Sequence, residues 1–278
     1  MSSSSPALTP EQLASESLTI RKTVLEMAYR SHTGHLGSAF SCIDILVCLY
    51  WNFLHVNPLQ PKNPGRDRFI LSKGHACSAL YAVLAERGFF SRDLLTQYLK
   101  DGSSLAGHPS LTLPGIEAAT GSLGHGLGIG AGMALAASLD AKAHHTVVLL
   151  SDGECNEGSV WETALFAAQH HLCNLIAVID CNGIQGFGRT EDVLGLEPFA
   201  DKWRAFGWQV QECDGHNPTS ILAALEQATQ PSTAPRLILA RTIKGKGVSF
   251  MENTVDWHYW TLNDEQYRAA SAELHPAS

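Results

Sequence analysis

The sequence is poor in several things whose absence is informative. It has 19 basic residues against 27 acidic ones, a formal charge of −8 over 278 residues, and the lysines and arginines are scattered. Binding a nucleic-acid backbone needs clustered positive charge, so this balance argues against that class, and any anionic ligand must be held locally. No stretch approaches the ~18 uninterrupted apolar residues of a bilayer span, and "MSSSSPALTP" lacks the basic and apolar regions of a secretory signal. The seven cysteines (Cys42, Cys48, Cys77, Cys155, Cys173, Cys181, Cys213) are odd in number and form no C-x-x-C pair. They read as reduced, cytoplasmic thiols buried as small hydrophobes rather than as a disulfide frame or zinc site. There is no internal repeat, no low-complexity tract beyond the serine tail and no G-x-x-x-x-G-K-[ST] phosphate loop. The glycine-rich "GSLGHGLGIG" follows no clear strand, so a nucleotide-binding protein of similar architecture is poorly supported.

What is present is a hydrophobic content of 45%, ample for a large core. Five short segments, "RFILS", "HTVVLLS", "NLIAVID", "WQVQECD" and "RLILARTI", are rich in Val, Ile and Leu. Most run apolar on consecutive positions, as expected of strands covered on both faces. Helical patterns separate them: "HACSALYAVLAERG", "GLGIGAGMALAASLD", "SVWETALFAAQHH", "FADKWRAFG" and "PTSILAALEQAT". The alternation predicts a three-layer α/β/α domain on a parallel sheet. Two further helices precede it, "EQLASESLTIRKTVLEMAYRS" and "SCIDILVCLYWNFL", joined by a glycine-broken loop "HTGHLGSAF", and "NDEQYRAASAEL" closes the chain. The expected organisation is a disordered tail over residues 1–10 and one domain over 11–278.

In open parallel sheets, ligands bind beyond the carboxyl ends of the strands. Asp152, in "SDGECNEGSVWE", and Asn182, in "CNGIQ", stand at the ends of two successive strands. A carboxylate, an amide oxygen and a carbonyl of the "NGIQ" loop are hard oxygen ligands suited, with diphosphate oxygens, to Mg²⁺ or Ca²⁺. Gly153 lets a phosphate approach the backbone, and the helix starting near Gly158 can offer free N–H groups to the anion. Asp and Asn after strands also cap helices and close turns without any ligand. Glu157 and Glu162 read equally well as an exposed acidic helix face, and Trp161 as packing.

Asp-Gly followed at the next strand end by Asn resembles the thiamine-diphosphate motif, and other stretches resemble the transketolase family in order along the chain. They are "TGHLGSAFS", "LSKGHA", "GHP", "TGSLGHGL", "IKGKG" and "DWH". The resemblance implies the diphosphate-binding domain of the thiamine-diphosphate fold. It also implies Asp152 and Asn182 as metal side-chain ligands and Ile184 as the carbonyl donor. By the same resemblance Ser38, His75, Gly121, Leu123, Gly153, Asn182, Lys244 and His258 are cofactor-contacting. His35, His75, His108 and His258 match the histidines lining the substrate channel, where imidazoles can donate hydrogen bonds and shuttle protons. Glu157 and Glu162 match acids at the interface between two active sites. Ser151 and Cys181 depart from the family's usual Gly and Asn, at positions that supply no metal side chain, and Tyr259 stands where the family often has glycine.

The same resemblance implies a cytoplasmic transferase that uses thiamine diphosphate and Mg²⁺ (or Ca²⁺) to move a two-carbon ketol unit between sugar phosphates. The glutamate that activates the cofactor and the phosphate-binding arginines belong to a pyrimidine-binding half absent from this chain. The expectation is therefore the N-terminal subunit of a split transketolase, paired in an α₂β₂ assembly with a separate C-terminal subunit. Three rivals remain at this stage: a split transketolase for a branched or sulfonated sugar, the α subunit of a 2-oxoacid dehydrogenase, and a non-catalytic diphosphate-binding scaffold.

Overall fold

Side chains of successive strand residues point to opposite faces, so a strand apolar throughout needs cover on both sides. The computed structural model, which describes residues 7–275, provides it. All five expected strands form: β1 (Arg68–Leu71), β2 (Thr146–Ser151), β3 (Leu175–Cys181), β4 (Gln209–Asp214) and β5 (Arg236–Arg241). They make one parallel sheet in the order β1-β2-β3-β5-β4. Val147, Leu149, Ile176 and Val178 face one core cluster, whereas Val148, Leu150, Ala177 and Ile179 face the other.

The first cluster is covered by α1 (Pro10–Ser31), α2 (Leu36–Ser41), α3 (Ile43–Cys48), α4 (Cys77–Glu86), α9 (Pro218–Ala228) and α10 (Asp264–Leu274). The second is covered by α5 (Gly126–Leu139), α6 (Gly158–Gln169) and α8 (Phe199–Ala205), and a short α7 (Thr190–Leu194) lies between β3 and α8. Helix α5 sits very close to the sheet, because a Cβ on Gly130 would overlap Val148 Cγ2 and one on Gly126 would overlap Ser72. That proximity explains Gly126 and Gly130, whereas a Cβ on Gly132 would meet nothing. Strand order reverses between β3 and β5, so the carboxyl ends of β2, β3 and β5 flank the crevice where such sheets hold ligands.

Two segments differ from expectation. The stretch 32–40, expected as a loop, turns helical at Leu36, and the helix expected over 41–54 is broken at Cys42 and ends in a π-helical turn at Leu49–Phe53. The cause is tertiary. His35 takes a left-handed backbone (φ 66°), its N–H donates to the His258 carbonyl at 2.9 Å, and Gly37 packs against the Lys244 side chain. Of the tail expected over residues 1–10, residues 1–6 lie outside the described residues. Leu8 is held by both ends of the Asn52 amide, and Thr9 caps α1. Among the described residues no helix is long and apolar enough to cross a membrane.

Candidate active site

Asp152 is buried at the end of β2 and clasps two loops. Its Oδ1 accepts the Gly153 N–H at 2.8 Å and its Oδ2 the Gly183 N–H at 2.7 Å. Burial, then the charge of Asp180, pushes its carboxyl up to about 6, and among the described residues it has no ion-pair partner. Asn182 is also buried. Its Nδ2 donates to Ser41 Oγ (3.2 Å) and Asp180 Oδ2 (3.3 Å), which fixes the amide orientation and turns Oδ1 the other way, where it accepts from the Ile184 N–H at 3.1 Å. The Ile184 carbonyl accepts from Lys244 Nζ at 3.0 Å. No group of three or more His, Cys, Asp or Glu able to hold a metal exists among the described residues. A cation at this rim must therefore be held by carboxylate, amide and main-chain oxygens, a donor set that fits Mg²⁺ or Ca²⁺.

Behind these groups lies a buried shell that the sequence reading missed. Lys73 and Asp180 form a fully buried ion pair at 2.5 Å, with Ser41 and Thr242 also donating to Asp180. Burial alone would neutralise both, but the pair outweighs it: Asp180 is held below its ordinary range and Lys73 above its own. The signal available was a lone acid inside the apolar run "LIAVIDC", which a buried strand tolerates only if paired. Glu154 is a second such residue. It is buried and accepts from Ser72, from Gly124 N at 2.8 Å and from Ser151 N at 3.2 Å. It thereby ties the loop carrying Gly121 and Leu123 to the ends of β1 and β2. Ser151 returns a hydrogen bond to its partner by accepting the Glu154 N–H on its hydroxyl, and Cys181 packs into the second core cluster.

His35, His75 and His258 come together, with ring centroids 5.1–5.3 Å apart. Lys244 Nζ donates to His258 Nδ1 at 3.0 Å; an ammonium has no lone pair, so Nδ1 is the acceptor and the ring proton sits on Nε2. Ser38 Oγ lies 3.5 Å from the same Nδ1. Burial, then Lys244 and His35, lowers His258 to about 3. Burial, then Lys73, holds His75 well below its ordinary value, and burial with His108 lowers His35. These three imidazoles are therefore neutral hydrogen-bond donors rather than groups poised near neutrality, a property set by packing. Lys244 itself is lowered to about 8 by burial and by Lys73.

His108 does not join the three rings. It is exposed, accepts the Tyr81 hydroxyl on its carbonyl at 2.6 Å and packs beside Gly121. Gly153 faces Gln185, whose Cγ would lie 2.7 Å from an added Cβ. Glu157 and Glu162 are exposed at the start of α6, on a surface that also exposes Ile129, Leu165 and Phe166.

The family model described as "Transketolase, thiamine diphosphate binding domain" matches residues 14–275. The chain belongs to the transketolase family. It is 43% identical over 264 residues to a subunit of the apulose-4-phosphate transketolase of Phocaeicola vulgatus, covering 95% of this chain and 94% of that one. It is also 43% identical over 256 residues to the 6-deoxy-6-sulfo-D-fructose transketolase subunit SqwG of a Clostridium species, covering 92% and 93%. Among solved structures, transketolase from Leishmania mexicana superposes with a TM-score of 0.90 at 28% identity, covering 97% of this chain and 42% of that one. Transketolase from Campylobacter jejuni gives 0.90 at 31% identity, covering 96% and 43%. The chain thus spans about two fifths of the length of these solved transketolases but nearly all of the two relatives named as subunits. Family membership and this coverage favour a transketolase subunit over the 2-oxoacid dehydrogenase and nucleotide-binding readings.

Proposed function

We propose that this chain is the diphosphate-binding subunit of a split transketolase that moves a two-carbon ketol unit from a ketose to an aldose. It works with thiamine diphosphate, a divalent cation and a separate pyrimidine-binding subunit, in an α₂β₂ assembly. One observation carries the reading: a hard-oxygen set (Asp152, Asn182, Ile184) lies beside the cluster of His35, His75 and His258, with Lys244 touching both. Bound thiamine diphosphate supplies the carbon nucleophile of such reactions.

The chain's own residues bind and orient. Asp152 and Asn182 with the Ile184 carbonyl would hold Mg²⁺ (or Ca²⁺), and Lys244 with Gly153 would face the diphosphate. Ser38, Gly121 and Leu123 would bound the cofactor, the last two held by Glu154. The Nε2–H of His258 and the neutral rings of His35 and His75 can donate to sugar oxygens and stabilise charge that develops on a former carbonyl. His108, on its exposed turn, would complete the lining from the outer side. Glu157 and Glu162, with the apolar face around Phe166, would lie at a subunit interface.

A second reading, a branched or sulfonated ketose as donor, is favoured by the printed names of the two relatives matched over nearly their full length. The test is co-expression with a candidate partner subunit, followed by calorimetric titration of thiamine diphosphate with Mg²⁺ and assay of transfer from xylulose 5-phosphate to ribose 5-phosphate. Turnover by the mixture alone, lost in Asp152→Ala, supports the reading. A complex that binds cofactor yet turns over only a branched or sulfonated ketose supports the second, and no binding of the cofactor refutes the site.

A further inference from the structure

Four rings, tilted or edge-on to one another, lead outward from the crevice. His75 is innermost, flanked by the buried Gly74 and Ala76; His35 and His258 are half-buried; Tyr259 is outermost, with 58% of its surface exposed. Tyr259 stands 4.6 Å from the His258 ring and 6.0 Å from the His35 ring, edge-on to both. Its hydroxyl reaches across to the loop carrying the Ile184 carbonyl, where a Cβ on Gly186 would meet it at 2.7 Å. Its main-chain carbonyl lies 2.6 Å from a Cβ placed on Gly34. Tyr259 thus touches two lips of the crevice, its backbone at Gly34 and its side chain at Gly186, and the ring crosses between them beside His35 and His258. Tyr259 lies outside both core clusters, and its ring stands as a wall beside His35 and His258.

We propose that Tyr259 is a specificity-determining residue, its ring narrowing the histidine-lined channel on the side of His35 and His258 and thereby selecting acceptor aldehydes with little bulk beyond the reacting carbonyl. The selection rests on the ketol-transfer reading above. A sugar whose carbonyl reaches these imidazoles must trail the rest of its chain past this ring. A two-carbon aldehyde such as glycolaldehyde meets no such obstacle, whereas ribose 5-phosphate does. Packing differences of a few carbon atoms in a pocket are worth about tenfold or more in kcat/KM.

The experiment compares wild type, Tyr259→Gly and Tyr259→Phe, each assembled with the partner subunit. The Gly variant is compatible with the backbone here (φ −120°), and the Phe variant keeps the ring. The first readout is the ratio of kcat/KM for ribose 5-phosphate to that for glycolaldehyde. About a tenfold rise is expected in Tyr259→Gly and no change in Tyr259→Phe. The second needs no turnover: the rate at which diethyl pyrocarbonate modifies each histidine, read by mass spectrometry on the full chain with and without its partner. His35 and His258 should react several-fold faster in Tyr259→Gly, and His108, outside the wall, should be unchanged. Rates taken at several pH values separate access from protonation. Unaltered modification in the Gly variant overturns the proposal. So does faster modification with an unaltered acceptor ratio, or a ratio that shifts equally in Tyr259→Phe. Failure of every ketose–aldose pair refutes the ketol-transfer reading and the selection built on it, while the modification rates still decide whether Tyr259 walls the channel.

Discussion

Replacing Arg21 by Met should cost the fold about 3–5 kcal/mol, because it strands a buried carboxylate. Arg21 and Asp44 are 9% and 7% exposed at their side chains. The guanidinium donates to Asp44 at 3.1 and 2.5 Å, to the Lys246 carbonyl at 3.1 Å and to the Phe40 carbonyl at 3.5 Å. Methionine keeps most of the stem's volume but none of these donors, which leaves Asp44 only the Nδ1–H of His216 at 2.7 Å. Against a typical total of about 5–15 kcal/mol, the loss is large, and at ~2–3 °C per kcal/mol it should lower Tm by about 10 °C. The pH dependence is also fixed by the pair. Burial pushes the Asp44 carboxyl up, but the Arg21 charge and the hydrogen bonds from His216 and Arg21 outweigh it, holding the group well below the usual carboxylate range. An acid depressed in the folded state stabilises it fully above the unfolded value, near ~3.9, and loses that contribution as pH falls through the folded value. Urea unfolding followed by tryptophan fluorescence should therefore show the full gap between wild type and Arg21→Met at about pH 7, narrowing below about pH 4. A gap under about 1 kcal/mol, or one equally wide in acid, would refute the reasoning.

Two further outcomes follow from the crevice and the sheet. At the proposed cation site, binding would require an ionised Asp152, whose carboxyl is raised to about 6. Mg²⁺-dependent binding of thiamine diphosphate, measured by calorimetry, should thus weaken progressively below that pH, and Asp152→Asn should lower the affinity at least a hundredfold while leaving the circular dichroism of the chain intact. Gly130→Ala should destabilise by about 1–3 kcal/mol, despite alanine's better helix propensity, since the new methyl would overlap Val148 Cγ2; denaturant midpoints giving a stabilised variant would place α5 farther from the sheet.

Four of the five strands were legible because a doubly covered parallel strand writes itself as consecutive apolar residues, as β2 does over 147–150 and β3 over 175–179 before Asp180, whereas the edge strand β4 alternates and is half-exposed. The oxygen set was legible because Asp152 and Asn182 each follow such a run. Lys73 and Asp180 were not, since a buried charge pair carries no local pattern and its members are 107 positions apart. The helical start at Leu36 was hidden for the same reason: the loop "HTGHLGSAF" takes its shape from His258 and Lys244, far along the chain. The neutrality of the three central histidines was likewise illegible, because a sequence gives their number but not the burial and neighbouring ammonium groups that suppress their charge.

The contacts that frame the crevice have a kinetic consequence. Ser38 meets His258 across 220 positions, and Arg21 meets the Lys246 carbonyl across 225, whereas the sheet grows through shorter crossovers. Closing such spans costs chain entropy that only a largely formed scaffold can offset. The lining of the crevice is therefore expected to close after the sheet it rests on. Tyr29 stacked on Tyr267 at 4.0 Å joins the first helix to the final one.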